Sequence, residues 1–512
     1  MISKIKSATF VGIDGKIINI EVDISRGLPI FNIVGLGDTS IKESKERIRA
    51  ALINSGYSLP LGRITINLSP AYIRKEGCMF DVAIALGILM KSQQVPEFDL
   101  SDVLIMGELS LDGCINSVNG VLPMLCEARK RGINRIILPR DNENEATLIK
   151  ELDIYPVSNI NELIHLLTYK DLLPYKHKTK IKHENNYVDF ADIHGQNVAK
   201  RALEIAAAGG HNILMFGPAG TGKSMLAKAF PGILPPLTYE EVLEVVKINS
   251  ITGRIKNDEV DFSPPYRAPH TSISKFALLG GGRKTLPGEV SYAHRGVLFL
   301  DEILEFKKEV LEELRGPLEE KSITIDRVNS TCTYPCDFML IGAMNNCPCG
   351  NYLSDAPCTC SQKERVNYLR RLSSPILDRI DLYCSVNKIK YEEIGYEKGD
   401  SSNEIRKRVI RAREIQKIRL QKDNINLNSN MTNSLVNKYC RLDDKSKNIM
   451  ETMFKKFNIS MRAYYRILKV SRTIADLNGQ KNITPQNLME AFNYRKVMPT
   501  GDKDIDLVRK AL

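Results

Sequence analysis

The sequence predicts an α/β protein organised around a buried parallel sheet. Three short apolar runs carry that prediction: residues 213–216 (Ile-Leu-Met-Phe), 297–300 (Val-Leu-Phe-Leu) and 338–344 (Phe-Met-Leu-Ile-Gly-Ala-Met). Each reads as a buried strand, and each delivers polar residues at its C-terminal end. After the first run, Gly217, Pro218, Ala219, Gly220, Thr221, Gly222, Lys223 and Ser224 fit G-x-x-x-x-G-K-[ST], the phosphate-binding loop. The glycines let backbone N–H groups turn inward around phosphate oxygens, and the helix that starts after the loop adds positive dipole. Lys223 is expected to reach the β- and γ-phosphates of ATP, and Ser224 to ligate Mg²⁺.

The bulk properties bound the class. A chain of 512 residues with 43% hydrophobic and 26% charged content reads as a soluble globular protein of several domains. No apolar run is long enough to span a bilayer, and residues 1–6 carry no secretion signal, so a cytoplasmic protein with no membrane partner is expected. The net charge of +11 permits a polyanionic partner without requiring one. In a reducing compartment the eleven cysteines are not expected to form disulfides.

Taken in order, residues 1–172 read as a first, α+β domain. Strands are expected at 9–12 and 17–23 with a turn at Asp14–Gly15, then at 27–37, 64–68 and 135–139. Helical periodicity covers 40–55, 80–90 and 122–131, and 107–113 looks like a hairpin edge. Residues 173–187 read as a polar linker, in which His177 and His183 are surface residues. Residues 188–395 hold the phosphate loop, with Ile193, Gly195 and Gln196 placed to meet an adenine base or simply to pack. Residues 396–512 read as helical. Within them 402–420 carries seven basic and two acidic residues, either a solvated face or one turned to DNA. Ser460 reads as the N-cap of a helix through 477.

Two further groups complete the chemistry. Asp301 and Glu302 follow the second apolar run, where Asp301 would hold Mg²⁺ and Glu302 would polarise the attacking water. Asn345 ends the third run and reads either as a γ-phosphate or water contact or as a turn residue, with Asn346 ambiguous for the same role. Just beyond it, Cys347, Cys349, Cys358 and Cys360 form two C-x-C pairs. Four thiolates make a closed tetrahedral Zn²⁺ site, which would staple a loop too poor in apolar residues to fold alone. Cys332 and Cys336 suit a hairpin or core better.

The segments 211–224, 280–282, 287–294, 298–302 and 314–319 together resemble the magnesium-chelatase-like AAA+ ATPases, and within them the YifB/ComM family. Departures from that family's pattern are Asn346, where a proline is usual, and Thr271, where a second histidine is usual. The resemblance implies an AAA+ P-loop NTPase core with a helical lid. It makes Arg379, in Leu-Asp-Arg-Ile-Asp, the finger that reaches a neighbouring subunit's γ-phosphate, and Arg462 the lid arginine that contacts nucleotide. A ring follows from a finger in trans, and the resemblance implies a homo-hexamer. The insertion with Gly280, Gly281, Gly282, Arg283 and Lys284, and the hairpin at 322–328, are then expected at the pore. Residues 107–113 and 131–139 resemble the ribosomal-S5-like domain of Lon proteases, but Lon's serine and lysine positions fall on Met79 and Leu122. A non-proteolytic domain is implied. The family further implies action on branched or single-stranded DNA as a branch-migration helicase. The alternatives are a chelatase-type motor for metal insertion and an ATP-dependent protease regulator or unfoldase.

Overall fold

The computed structural model describes residues 2–169, 173–176, 180–182, 187–255, 259–282, 285–327, 330–389, 399–457 and 459–496. His177, His183, Arg283, Lys284, part of the expected 173–187 linker and the 395/396 boundary lie outside the described residues. The chain divides into two units. The first holds residues 1–182, 239–261 and 328–333, and the second holds 183–238, 262–327 and 334–512. The division does not follow sequence order, because helix Tyr239–Ile251 packs with helix Val121–Lys130 of the first unit.

The first unit is built on a seven-stranded mixed sheet. Its strands are β1 (Ser3–Val11), β2 (Asp14–Ser25), β3 (Ile30–Val34), β4 (Arg63–Ser69), β5 (Val103–Ile105), β6 (Arg135–Pro139) and β7 (Asp153–Val157). They lie in the order β3-β4-β2-β1-β5-β6-β7. The first turn corrects the sequence reading. Val11 pairs with Asp14, so the turn is Gly12-Ile13 and not Asp14–Gly15. Gly12 supplies the left-handed backbone, at φ +60°. Gly15 is glycine for another reason: a Cβ there would fall 2.2 Å from the Pro123 carbonyl oxygen.

Helix Thr39–Asn54 starts at Asp38, whose carboxylate accepts the Ile41 N–H at 2.9 Å. Helix Asp81–Lys91 is buried from Asp81 to Leu89 and packs on β1 and β2. An apolar run of that kind is a core helix. Met79 and Leu122 are both buried. Lys75 is also buried, with its ammonium given to the Gly35 and Pro70 carbonyls. Burial, with Glu108 nearby, pushes the Cys78 thiol up to about 11. None of these side chains is a poised nucleophile.

The second unit holds a five-stranded, all-parallel sheet: β8 (Ile213–Phe216), β9 (Tyr266–Arg267), β10 (Val297–Leu300), β11 (Met339–Met344) and β12 (Leu382–Ser385), in the order β9-β10-β11-β8-β12. Ile213 sits opposite Ile341 on one side and Leu382 on the other. All four residues of β8, and of β10, are buried. Parallel strands covered on both faces read as such unbroken apolar runs. The C-terminal helices Ser402–Leu420 and Met461–Leu477 pack on helix Asn197–Gly209. Among the described residues, no helix is long and apolar enough to cross a membrane.

The basic helix Ser402–Leu420 is tied inward at several points. Arg406 donates to the Gly232 carbonyl at 2.8 Å and Arg413 to the Ala207 carbonyl at 2.9 Å. Arg408 pairs with Glu204, and Arg419 with Asp476. Lys407, Arg411 and Lys417 are the basic residues it turns outward as exposed groups.

Candidate functional site

The strand order decides what faces what. β8 lies between β11 and β12, with β10 beyond β11, so the C-terminal ends of β8, β10 and β11 converge on one edge. Ligands of open parallel sheets bind outside that edge. There the loop from Ala219 to Met225, Asp301, Glu302 and the segment Ala343 to Asn345 line a cavity of about 370 Å³.

The phosphate loop is shaped by its glycines at two places. A Cβ on Gly217 would fall 2.1 Å from the Val386 carbonyl oxygen, so the chain passes β12 too closely for any side chain. Gly222 is left-handed at φ +91° and starts helix Lys223–Ala229. Thr221 Oγ1 donates to the Pro218 carbonyl at 3.0 Å. Gln196 braces the loop from outside, with Nε2 donating to the Thr221 and Asn387 carbonyls at 3.2 and 2.5 Å. Ile193 is buried, and Gly195 is left-handed at φ +59°.

The Lys223 ammonium donates to the Gly217 and Pro218 carbonyls at 2.9 and 2.7 Å and to Asn345 Oδ1 at 3.2 Å. Burial pulls it below its ordinary range, against the opposing charges of Asp301 and Glu302. Ser224 Oγ donates to Asp301 Oδ2 at 2.7 Å. A hydroxyl beside a carboxylate is a donor set that fits a hard divalent cation such as Mg²⁺. Glu302 is exposed and left-handed at φ +47°, while its N–H is held by Asp301 Oδ1 at 3.0 Å. A non-glycine residue held there is strained by about 1–2 kcal/mol. The bend sends Glu302 out of the strand direction at the cavity rim.

Two arginines stand elsewhere. Arg379 lies outside the cavity lining, donating to the Pro375 carbonyl at 2.7 Å and pairing with Glu319. Asp378 and Asp381, its acidic neighbours in the sequence, are engaged by other residues. Arg462, 72% exposed, pairs with Asp378 at 2.8 Å. Asp381 pairs with Arg466, accepts the Asn212 N–H at 3.1 Å and lies 3.5 Å from His211 Nδ1. Arg462 is also outside the cavity lining.

The four cysteines of the 347–360 loop do come together, with their sulfurs all within 4.8 Å of one another. Cys347 and Cys349 are 3.4 Å apart, Cys349 and Cys358 3.7 Å, and Cys358 and Cys347 3.8 Å. A tetrahedron of sulfurs about 2.3 Å from zinc has edges of about 3.8 Å, so the set fits that ion. The Tyr352 N–H donates to Cys347 Sγ at 3.2 Å. The Asn351 and Thr359 backbone N–H groups pull Cys349 down to about 5. Cys332 and Cys336 are buried, and burial pushes Cys336 up to about 12.

Sequence reasoning passed over Gly350, whose carbonyl accepts the Ala219 N–H of the phosphate loop at 3.0 Å. Glu319 and the arginine partners of Asp378 and Asp381 were equally out of reach. Each pair is separated by tens of residues, with no local pattern to mark it. Gly350 carried a weak signal, as a glycine directly after a C-x-C pair.

Comparison with known proteins places these features in a family. Residues 189–394 match the model "Magnesium chelatase, subunit ChlI", 20–142 match "Subunit ChlI of Mg-chelatase", and 399–495 match "Magnesium chelatase, subunit ChlI C-terminal". Competence protein ComM of Haemophilus influenzae is 40% identical over 501 residues, covering 96% of this chain and 97% of that protein. YifB of Escherichia coli is 38% identical over 498 residues, covering 97% of each. The magnesium-chelatase 67 kDa subunit of Chlorobaculum tepidum is 30% identical over 161 residues, 30% of this chain and 23% of that one. Full-length identity at this level, together with the parallel sheet and its phosphate loop, makes the chain a member of the YifB/ComM family of magnesium-chelatase-like AAA+ ATPases.

Proposed function

We propose that the chain is an ATP-hydrolysing motor that works as a homo-hexameric ring on branched or single-stranded DNA in the cytoplasm, driving branch migration. The observation that carries the reading is the cavity of about 370 Å³, where Lys223, Ser224, Asp301, Glu302 and Asn345 meet across three strand ends. Backbone N–H groups of residues 220–224 cradle the phosphates, and the Lys223 ammonium binds the β- and γ-oxygens. Ser224 and Asp301 would hold Mg²⁺, which supplies charge neutralisation on those oxygens. Glu302 orients the water and draws its proton, and Asn345 fixes the γ-phosphate or that water. Arg379 acts on the neighbouring subunit's site, and Arg462 contacts nucleotide from the lid. Both must exchange their partners, Glu319 and Asp378, to do so.

DNA is favoured by the relative named competence protein ComM, which matches 96% of the chain. The relative named as a magnesium-chelatase subunit matches only 30% of it, which disfavours the chelatase alternative. Residues 1–172 are read as a Lon-like domain without protease activity, because Met79 and Leu122 offer neither a nucleophile nor a base. The remaining divisions of the reading are a linker at 173–187, an AAA+ core at 188–395 and a helical lid at 396–512. Cys347, Cys349, Cys358 and Cys360 bind one structural Zn²⁺, a reading supported by four sulfurs within 4.8 Å of one another, three of them 3.4–3.8 Å apart.

The test is ATP turnover with branched DNA, single-stranded DNA, casein or a porphyrin added in turn. Branched DNA should stimulate turnover. Stimulation by casein with no response to DNA would overturn the helicase reading in favour of an unfoldase.

A further inference from the structure

The cysteine loop touches the nucleotide cavity from two sides. β11 ends at Met344, and Asn345, which meets Lys223 at 3.2 Å, stands two residues before Cys347. On the far side of the first C-x-C pair, the Gly350 carbonyl takes the Ala219 N–H at 3.0 Å. The turn between them is tight, with the Gly350 N–H donating to the Cys347 carbonyl at 3.1 Å. Gly350 is left-handed at φ +81°, and a Cβ there would fall 2.9 Å from Ala219 Cβ. Glycine is therefore required both by the backbone and by the contact.

Little else holds the loop in this shape. Leu353, its largest apolar residue, is exposed. Its polar ties are few: the Asn346 amide to the Tyr352 carbonyl at 3.1 Å, Ser354 Oγ to the Asn351 carbonyl at 2.8 Å, an exposed pair of Lys388 with Asp355 at 3.4 Å, and Arg365, which donates to the Cys360 carbonyl at 3.1 Å and lies over the Tyr352 ring. A segment with so little buried surface is ordered by its cross-link.

We propose that the zinc-loaded loop is a brace that sets the nucleotide affinity of the phosphate loop through the Gly350–Ala219 contact. The proposal rests on the four-thiolate zinc reading given above. With the metal in place, Gly350 pins the crest of the phosphate loop immediately before Gly220, so the N–H groups are aimed before nucleotide arrives. Pre-organisation of this kind raises affinity by removing an ordering cost from binding. Without the metal, the crest loses one hydrogen bond and its packing partner, worth up to about tenfold in affinity.

The experiment uses the full-length protein in three forms: parental, Cys349→Ser/Cys360→Ser, and Gly350→Ala. Zinc per chain is measured after thiol displacement, and binding of a fluorescent ADP analogue is measured by titration. The parental protein should carry one zinc. The double variant should carry none and bind the analogue about tenfold more weakly, while Gly350→Ala should keep zinc and lose affinity to a similar degree. A zinc-replete Gly350→Ala protein that binds within twofold of parental overturns the brace. So does a folded, zinc-free double variant with parental affinity. Absence of zinc from the parental protein overturns the four-thiolate reading instead. If the double variant fails to fold, Gly350→Ala alone decides the contact.

Discussion

Replacing Asp381 by asparagine tests the join between the phosphate-loop sheet and the C-terminal helices. The Asp381 carboxylate is 6% exposed and takes the guanidinium of Arg466, on helix Met461–Leu477. It also takes the Asn212 N–H at 3.1 Å, one residue before β8. His211 Nδ1 lies 3.5 Å away, and its Nε2 meets Thr473 Oγ1 of the same helix at 2.8 Å. Asparagine keeps the shape and removes the charge, leaving Arg466, 24% exposed, without its carboxylate. Breaking a buried pair from one side costs about 3–5 kcal/mol, and partial hydration of Arg466 puts this case near about 3. In a unit of this size that lowers the melting midpoint by about 5 °C. The chain has no tryptophan, so calorimetry is the suitable assay. Burial raises the Asp381 pKa, but Arg466 and His211 outweigh it and hold the carboxyl well below the ordinary carboxylate range. A depressed folded value means the stabilisation is full above the unfolded value of about 3.9 and is lost as pH falls from there through the folded value. The gap between parental and variant should therefore close in acid. Asp381→Asn/Arg466→Met should recover more than half of the loss, since an apolar replacement of the whole pair is far less costly than half of it. A midpoint shift below about 2 °C, or a double variant no more stable than the single one, would refute the reasoning.

Three other outcomes follow from the site. Glu302→Gln should lower ATP turnover by about 10²–10⁴-fold with ADP affinity retained, as measured by phosphate release and nucleotide titration. Gly217→Ala should destabilise the second unit by about 1–3 kcal/mol in calorimetry and weaken nucleotide binding, because its Cβ would meet the Val386 carbonyl. Arg379→Ala should lower turnover by about 10³-fold, and mixing it with Glu302→Gln subunits should restore part of the activity. Mixed rings contain interfaces that pair an intact Arg379 with an intact Glu302, so no recovery would argue against a finger in trans.

The nucleotide loop was legible because its chemistry is written in eight contiguous residues, 217–224. Asp301, Glu302 and Asn345 were legible because each ends an apolar run that has no other place than a buried strand. The thiol cluster was legible from spacing within a single loop. The first turn was misread because Asp14–Gly15 is a turn dipeptide by composition, whereas Gly12 holds the left-handed turn and Gly15 is needed under the Pro123 carbonyl. The charge run at 402–420 was ambiguous for a related reason. A sequence counts arginines, but only packing shows that Arg406 and Arg413 cap backbone carbonyls inside the unit.

Local chemistry, then, belongs to the sequence: which loop carries the phosphate-binding pattern, which strands are buried, which side chains carry charge to the strand ends. Those depend on neighbours a few residues apart, whose geometry the backbone imposes. The order β9-β10-β11-β8-β12 belongs to the tertiary structure, as do the partners of Arg379, Arg462 and Asp381 and the seat of Gly350 against Ala219. Each of these joins residues far apart in the chain, and they are selected by packing and charge compensation within the whole unit. No stretch of sequence read alone contains both halves of such a contact.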